Sequence, residues 1–255
     1  MAFRTSLVAA VCAALALLPA ASGKSTAPRL TVLAASSLTD VLPRLAPGIL
    51  YSFGGSNALA TQIEQGAPAD LFASANTSLP AKLHARGLVE RPLPFTRNAL
   101  VVVVPASNPG RIASVRDLAR PGVSVDVANA SVPVGGYTQK VLQRLGLAKQ
   151  VNANVVSRET DVRSVLTKVA LGQADAGFVY ATDARTVPGD VTVIKVPAWA
   201  QPKVMYAMAV VTKSPNQAAA QAFVKKILSK AGQATFAKYG FLPLPAPVRA
   251  ATAGL

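Results

Sequence analysis

Short Val-rich apolar runs alternate along the chain with stretches whose apolar residues recur every three or four positions. The runs at 30–34, 49–53, 70–73, 100–104, 123–127, 155–156, 176–180 and 191–196 predict strands. Helices are predicted near Thr39 and over 58–65, 78–86, 137–145, 161–171 and 217–230. Asp161 is positioned to cap a run that puts Val162, Val165, Leu166 and Val169 on one face, and Gly66 with Pro68 stops the helix before them. Ala220, Phe223, Val224 and Ile227 likewise share a face, which predicts a helix lying on a core. Such alternation implies an α/β fold with largely parallel sheets.

Two runs read as connections between lobes: 100–104, which ends in Pro105, and 205–211, which follows Pro197 and Pro202. They lie far apart in sequence, as expected if one lobe were inserted into the other. This gives lobe 1 as 29–103 plus 205–245, lobe 2 as 104–204, and 246–255 as a loose tail.

The first residues are read as a segment outside the fold. Arg4 precedes an apolar run from Leu7 to Leu18, and Ala20-Ala21-Ser22-Gly23 supplies small residues for cleavage. Residues 1–23 therefore read as a secretory signal peptide, too short and wrongly flanked for a membrane span. Cys12, the one cysteine, lies inside that run, so the mature chain is expected to use no disulfides.

The formal net charge is +15, and removal of residues 1–23 takes away only Arg4, leaving +14. Nucleic-acid binding is the reading such a charge first suggests. However, the basic residues are dispersed singly (Arg116, Arg120, Lys140, Arg144, Lys149, Lys168), only Lys225-Lys226 adjoin, and aromatics are 5% of the chain. A solvated surface that draws in small anions fits better, and no nucleic-acid partner is expected.

Catalytic equipment is sparse. The single His, His84, sits in a surface-like helical pattern between Lys82 and Arg86, and no cysteine is placed to join it. A nucleophile–base pair and a zinc- or copper-type His/Cys cluster are therefore not expected. Neither a Gly-x-x-x-x-Gly-Lys loop nor a Gly-x-Gly-x-x-Gly turn occurs.

Four segments instead pair small or hydroxylated residues with a helix start: Ala35-Ser36-Ser37-Leu38-Thr39, Gly54-Gly55-Ser56-Asn57, Val132-Pro133-Val134-Gly135-Gly136-Tyr137 and Thr160-Asp161-Val162-Arg163. A helix start carries unpaired N–H groups and partial positive charge, so several converging on one point would hold an anion without a cation. Each also has an ordinary reading: Ser37 as a cap, Ser56 as a turn residue, Gly135-Gly136 as a bend, Tyr180 as a packed strand end.

Further segments join these along the chain: Ala34-Ala35-Ser36-Ser37-Leu38-Thr39, Leu59-Ala60-x-Gln62-Ile63-Glu64-x-Gly66-Ala67-Pro68-Ala69-Asp70-Leu71-Phe72 and Val132-Pro133-Val134-Gly135-x-Tyr137. They continue through Asp161-Val162-Arg163, Gly177-Phe178-Val179-Tyr180-x-x-Asp183-Ala184 and Tyr239-Gly240-Phe241. In these segments the chain resembles the periplasmic molybdate/tungstate-binding proteins that serve ABC importers. The Gly-Ala-Pro-Ala-Asp segment is the most specific of them. The resemblance implies a type II periplasmic-binding-protein fold: two α/β lobes, each a mostly parallel sheet flanked by helices, joined by a two-strand hinge and closing on one oxyanion.

Carried over by position, the resemblance implies that Ser37 and Ser56 donate from the first lobe, Val134 and Val162 donate backbone N–H from the second, and Tyr180 donates its phenol. Molybdenum would be held only as molybdate by these residues, with no resident cofactor. A periplasmic monomer that delivers the ion to an ABC permease is the implied setting. A binding protein for sulfate or a small carboxylate, and a secreted enzyme on the same fold, remain as alternatives. The chain departs from the family in a shortened stretch between Ser37 and Ser56 that contains Pro43 and Pro47, in Asn57, in Ala128-Asn129-Ala130 and in Asn76.

Overall fold

The computed structural model describes residues 29–252. The expected signal peptide and Cys12, and residues 253–255 of the expected tail, lie outside the described residues. Among the described residues, ten strands form two five-stranded sheets. Strands β1 (Thr31–Ala35), β2 (Leu50–Gly54), β3 (Leu71–Ser74) and β4 (Leu93–Asn98) lead the first half of the chain. They are followed by β5 (Leu100–Pro105), β6 (Val125–Ala128), β7 (Val155–Glu159), β8 (Ala176–Tyr180), β9 (Val191–Lys195) and β10 (Val204–Val210).

The first sheet runs β2-β1-β3-β10-β4 and the second β7-β6-β8-β5-β9. In each, three strands pair in parallel and one strand pairs antiparallel on both sides: β10 in the first, β5 in the second. Four of five strands in each sheet therefore share a direction. The reversed strand is in both cases the one that has just crossed from the other lobe. Because β5 belongs wholly to the second sheet, the first crossing falls at Ala99, ahead of the 103/104 boundary read from sequence. Gln201, in the second crossing, ties the two together: its side-chain amide donates to the Leu100 carbonyl at 2.6 Å, and its amide oxygen accepts the Leu100 N–H at 3.1 Å.

Local signals explain most helices. Asp161 accepts the N–H groups of Arg163 and Ser164, starting the Val162–Ala170 helix, whose Val162, Val165, Leu166 and Val169 are all buried on β8 and its neighbours. The Pro133–Leu145 helix begins four residues before the expected start, because Pro133 fits the first helical position, where no N–H is needed. The stretch near Thr39 forms only a 3-10 turn, Ser36–Leu38, and a one-turn helix, Val41–Leu45. The helix expected over 217–230 is two: Gln217–Leu228 ends at Ser229, whose extended backbone and hydroxyl cap Lys230–Lys238. The loose tail is also corrected, since the alanine-rich Ala246–Thr252 forms a helix.

Strand β4 was not expected, because Pro94 breaks its pattern. At the sheet edge a missing N–H is harmless, and a bulge at Phe95, opposite Tyr206 and Ala207, absorbs the irregularity. Phe95, Tyr206, Phe236 and Phe241 then pack edge to face, with centroids 5.3–6.1 Å apart.

In the second lobe, Asp126 on β6 is fully buried, and neither carboxylate oxygen has a hydrogen-bond partner. Burial, reinforced by Glu159, pushes its carboxyl up to about 7. The folded chain therefore holds this proton more tightly than the unfolded one, and stability is lost as pH rises from about 4 through 7. Asp126→Asn is expected to raise the urea midpoint at pH 8 while leaving that at pH 4 nearly unchanged. Equal shifts at both pH values would contradict this.

Candidate functional site

The carboxyl ends of the parallel strands face each other across the two lobes. Ala35 and Gly54 are register partners at the ends of β1 and β2. Ala35 runs into the Ser36–Leu38 turn, and Gly55 is the residue before the Ser56–Glu64 helix. From the other lobe come the starts of the Pro133–Leu145 and Val162–Ala170 helices and Tyr180, the last residue of β8. These ends enclose a small cavity, and all five residues singled out from sequence (Ser37, Ser56, Val134, Val162 and Tyr180) line it. Ser36, Gly55 and Ala75 line it too. No Lys, Arg or His is among its lining residues.

The donors are set by local chemistry. Pro133 has no N–H, so Val134 carries the first one of its helix. Asp161 occupies the N–H groups of Arg163 and Ser164 at 2.7 and 3.2 Å, which leaves that of Val162 as the foremost donor. Ser56 Oγ accepts the Ala75 N–H at 3.1 Å, so its own proton is free to point elsewhere. Ser37 Oγ lies 2.8 Å from the Tyr206 hydroxyl. Tyr180 Oη is buried and has no hydrogen-bond partner, and burial raises its phenol well above the ordinary value, so it is a neutral donor.

The cavity gives a water-sized centre about 10 Å³ of room. This is a small space, of the order that holds a single small molecule or ion. A larger cavity of about 500 Å³ opens at the opposite strand ends, near Thr31 and Asp70. There Asp70 accepts from the Thr31 N–H at 2.7 Å, from Ser214 at 2.5 Å and from Asn216 at 3.1 Å. The Gly-Ala-Pro-Ala-Asp segment thus ends in a structural carboxylate whose oxygens are already paired.

A cation lies close behind the small cavity but is committed elsewhere. Arg163 follows Val162, and its guanidinium bonds to Asp40 of the first lobe and, at 2.8 Å, to Asp183 of the second. Asp183 is fully buried; burial pushes its carboxyl up to about 6 against the pull of Arg163. Two further contacts join the lobes beside the cavity. Asn57 Nδ2 donates to Ser131 Oγ at 3.3 Å, and a Cβ at Gly55 would lie 2.2 Å from the Thr160 carbonyl oxygen. His84, as expected, is an exposed helix residue; its ring nitrogen pairs with the Val89 carbonyl at 3.0 Å.

Sequence reading missed Asp40, Asn98, Tyr206 and the second role of Arg163. Each acts through a partner distant in sequence, and only the hydroxyl of Tyr206 inside an otherwise apolar strand hinted at a polar task.

Comparison with known proteins places the chain among binding proteins of one family. A match to the family described as bacterial extracellular solute-binding protein covers residues 30–242. The chain is 38% identical over 222 residues to the molybdate-binding protein ModA of Mycobacterium tuberculosis, covering 83% of this chain and 84% of that one. It is 34% identical over 233 residues to the molybdate-binding protein ModA of Haemophilus influenzae, covering 84% and 89%. Among solved structures, it is similar to the periplasmic molybdate-binding protein of Azotobacter vinelandii, with a TM-score of 0.76, 25% identity, and coverage of 85% of this chain and 100% of that one.

The close approach of Gly55 to Thr160 makes a specific prediction. Gly55→Ala places a methyl group where the lobes meet and should hold them apart. Small-angle scattering with molybdate, the ion these relatives are named for, should give a larger radius of gyration for the variant than for the unaltered chain. Equal radii would contradict the contact.

Proposed function

The chain belongs to the bacterial extracellular solute-binding protein family, and from that premise we propose that it captures molybdate, and tungstate with it, and delivers the ion to an ABC permease. The observation that carries this reading is the small two-sided cavity, lined by neutral donors from both lobes and by no cation. The family's extracellular character and the apolar leader at residues 7–18 support a periplasmic setting. No helix among the described residues is long and apolar enough to cross a membrane.

The energetics are consistent with a dianion. Burying one without partners forfeits tens of kcal/mol of hydration. Bonds from neutral donors to a charged group return about 1.5–3 kcal/mol each. The helix starts add roughly half a positive charge apiece as an upper limit. Because the donors are divided between lobes, the ion stabilises the closed form through contacts available only there, and reopening releases it. Sulfate has the same charge and shape, so the choice between it and molybdate rests on cavity size.

A thermal-shift panel of molybdate, tungstate, sulfate, phosphate and organic acids tests the ligand class. Molybdate and tungstate are expected to give the largest shifts, and a larger shift with an organic acid would overturn the reading. By calorimetry, Ser37→Ala combined with Ser56→Ala should weaken molybdate binding by at least about a hundredfold, as loss of two bonds to a charged group implies. His84→Ala should leave it unchanged. Normal binding by the double variant would reject the site.

A further inference from the structure

Behind the cavity runs a chain of buried polar groups whose donor directions are fixed. Asn98 sits where the first lobe hands over to the second, and its side-chain oxygen accepts the Ala99 N–H at 2.9 Å. A backbone N–H can only donate, so this contact orients the amide, and its Nδ2 must face Thr182 Oγ1 at 2.8 Å and Tyr206 Oη at 3.3 Å. Tyr206 is fully buried, and its hydroxyl has one other partner, Ser37 Oγ at 2.8 Å. Were Ser37 to donate to Tyr206, the Tyr206 proton would be left buried with no acceptor. The satisfied arrangement is therefore Asn98 to Tyr206 to Ser37, which leaves the Ser37 proton for the cavity. The Tyr206 ring is held by Phe95, Phe241 and Tyr180, with centroids 5.7–6.1 Å away, so its hydroxyl cannot swing aside.

We infer that Asn98 and Tyr206 are specificity-determining residues: their relay makes Ser37 an obligate donor and thereby excludes oxyanions that carry a proton. The inference rests on the oxyanion reading of the site. Tyr180 reinforces the effect, since its buried phenol proton has no other acceptor. A protonated ion such as hydrogen phosphate meets donors on this side and must leave its own proton unpaired. An ion that is bare at neutral pH meets no such conflict.

Sulfate and hydrogen phosphate make the cleanest pair of probes. At mildly alkaline pH both are dianions of nearly the same size, and only one carries a proton. Asn98→Asp reverses the relay: a carboxylate oxygen in place of Nδ2 accepts from Tyr206, Tyr206 accepts from Ser37, and Ser37 turns a lone pair to the ion. The added charge weakens both anions alike, so the ratio of their affinities is the readout. Measured by competition against molybdate, the sulfate-over-phosphate ratio is expected to fall at least about tenfold in Asn98→Asp, the scale of one unpaired buried donor. In the Tyr206→Phe background the same substitution should leave the ratio unchanged, because no hydroxyl transmits the reversal. Should Asn98→Asp fail to fold, Tyr206→Phe alone serves: without the Tyr206 proton on Ser37 Oγ, nothing obliges Ser37 to donate to the ion, and the ratio should again fall. A ratio unmoved by Asn98→Asp and by Tyr206→Phe, or moved equally by Asn98→Asp with and without the Tyr206 hydroxyl, would overturn the relay. So would an unaltered chain that binds phosphate as tightly as sulfate, a result that leaves the oxyanion reading intact. An unaltered chain that binds neither molybdate nor sulfate would overturn both.

Discussion

A dianion buried without a counter-cation can be held only by donors that have nothing else to bond, and on the proposed reading of the cavity the architecture around it answers that constraint. Helix starts supply such donors because their first N–H groups lack intrahelical acceptors. Placing the starts at adjacent strand ends of two facing sheets brings them to one point. Where a start would otherwise satisfy itself, local chemistry intervenes. Asp161 takes two N–H groups and leaves that of Val162, Pro133 makes Val134 the first donor, and the Ala75 N–H occupies the accepting side of Ser56.

The same constraint accounts for the treatment of charge. The surface carries a large excess of basic residues, yet the nearest guanidinium is fixed between two aspartates. Arg163 thus joins Asp40 of one lobe to Asp183 of the other and does not line the cavity. A direct Arg contact would hold any small anion by charge, whereas oriented neutral donors favour an ion by shape and protonation state. Closure itself is a matter of a few contacts at the rim, where Gly55 has no room for even a methyl group.

Much of this was legible in the sequence, and the reasons are local. The burial face and cap of the Val162–Ala170 helix, the Gly66 stop, and the small-residue strand ends are all encoded within one or two turns of chain. Four of the five proposed donors were likewise visible at helix starts and Tyr180 at a strand end, their donor roles coming from the family resemblance, although their meeting in one cavity depends on the topology. What stayed hidden is long-range or irregular. Strand β4 is masked by Pro94 and its bulge, and the tail helix by its proline content. The Asn98–Tyr206–Ser37 relay joins residues 108 and 169 positions apart, a juxtaposition that no local pattern announces.

The measurement that bears most directly on neutral-donor capture is a crystal structure with molybdate bound. The ion should lie within hydrogen-bond reach of Ser37, Ser56, Val134, Val162 and Tyr180, with Arg163 still on Asp40 and Asp183. An ion held by Arg163 or by a lysine, or seated instead in the cavity near Thr31 and Asp70, would contradict it.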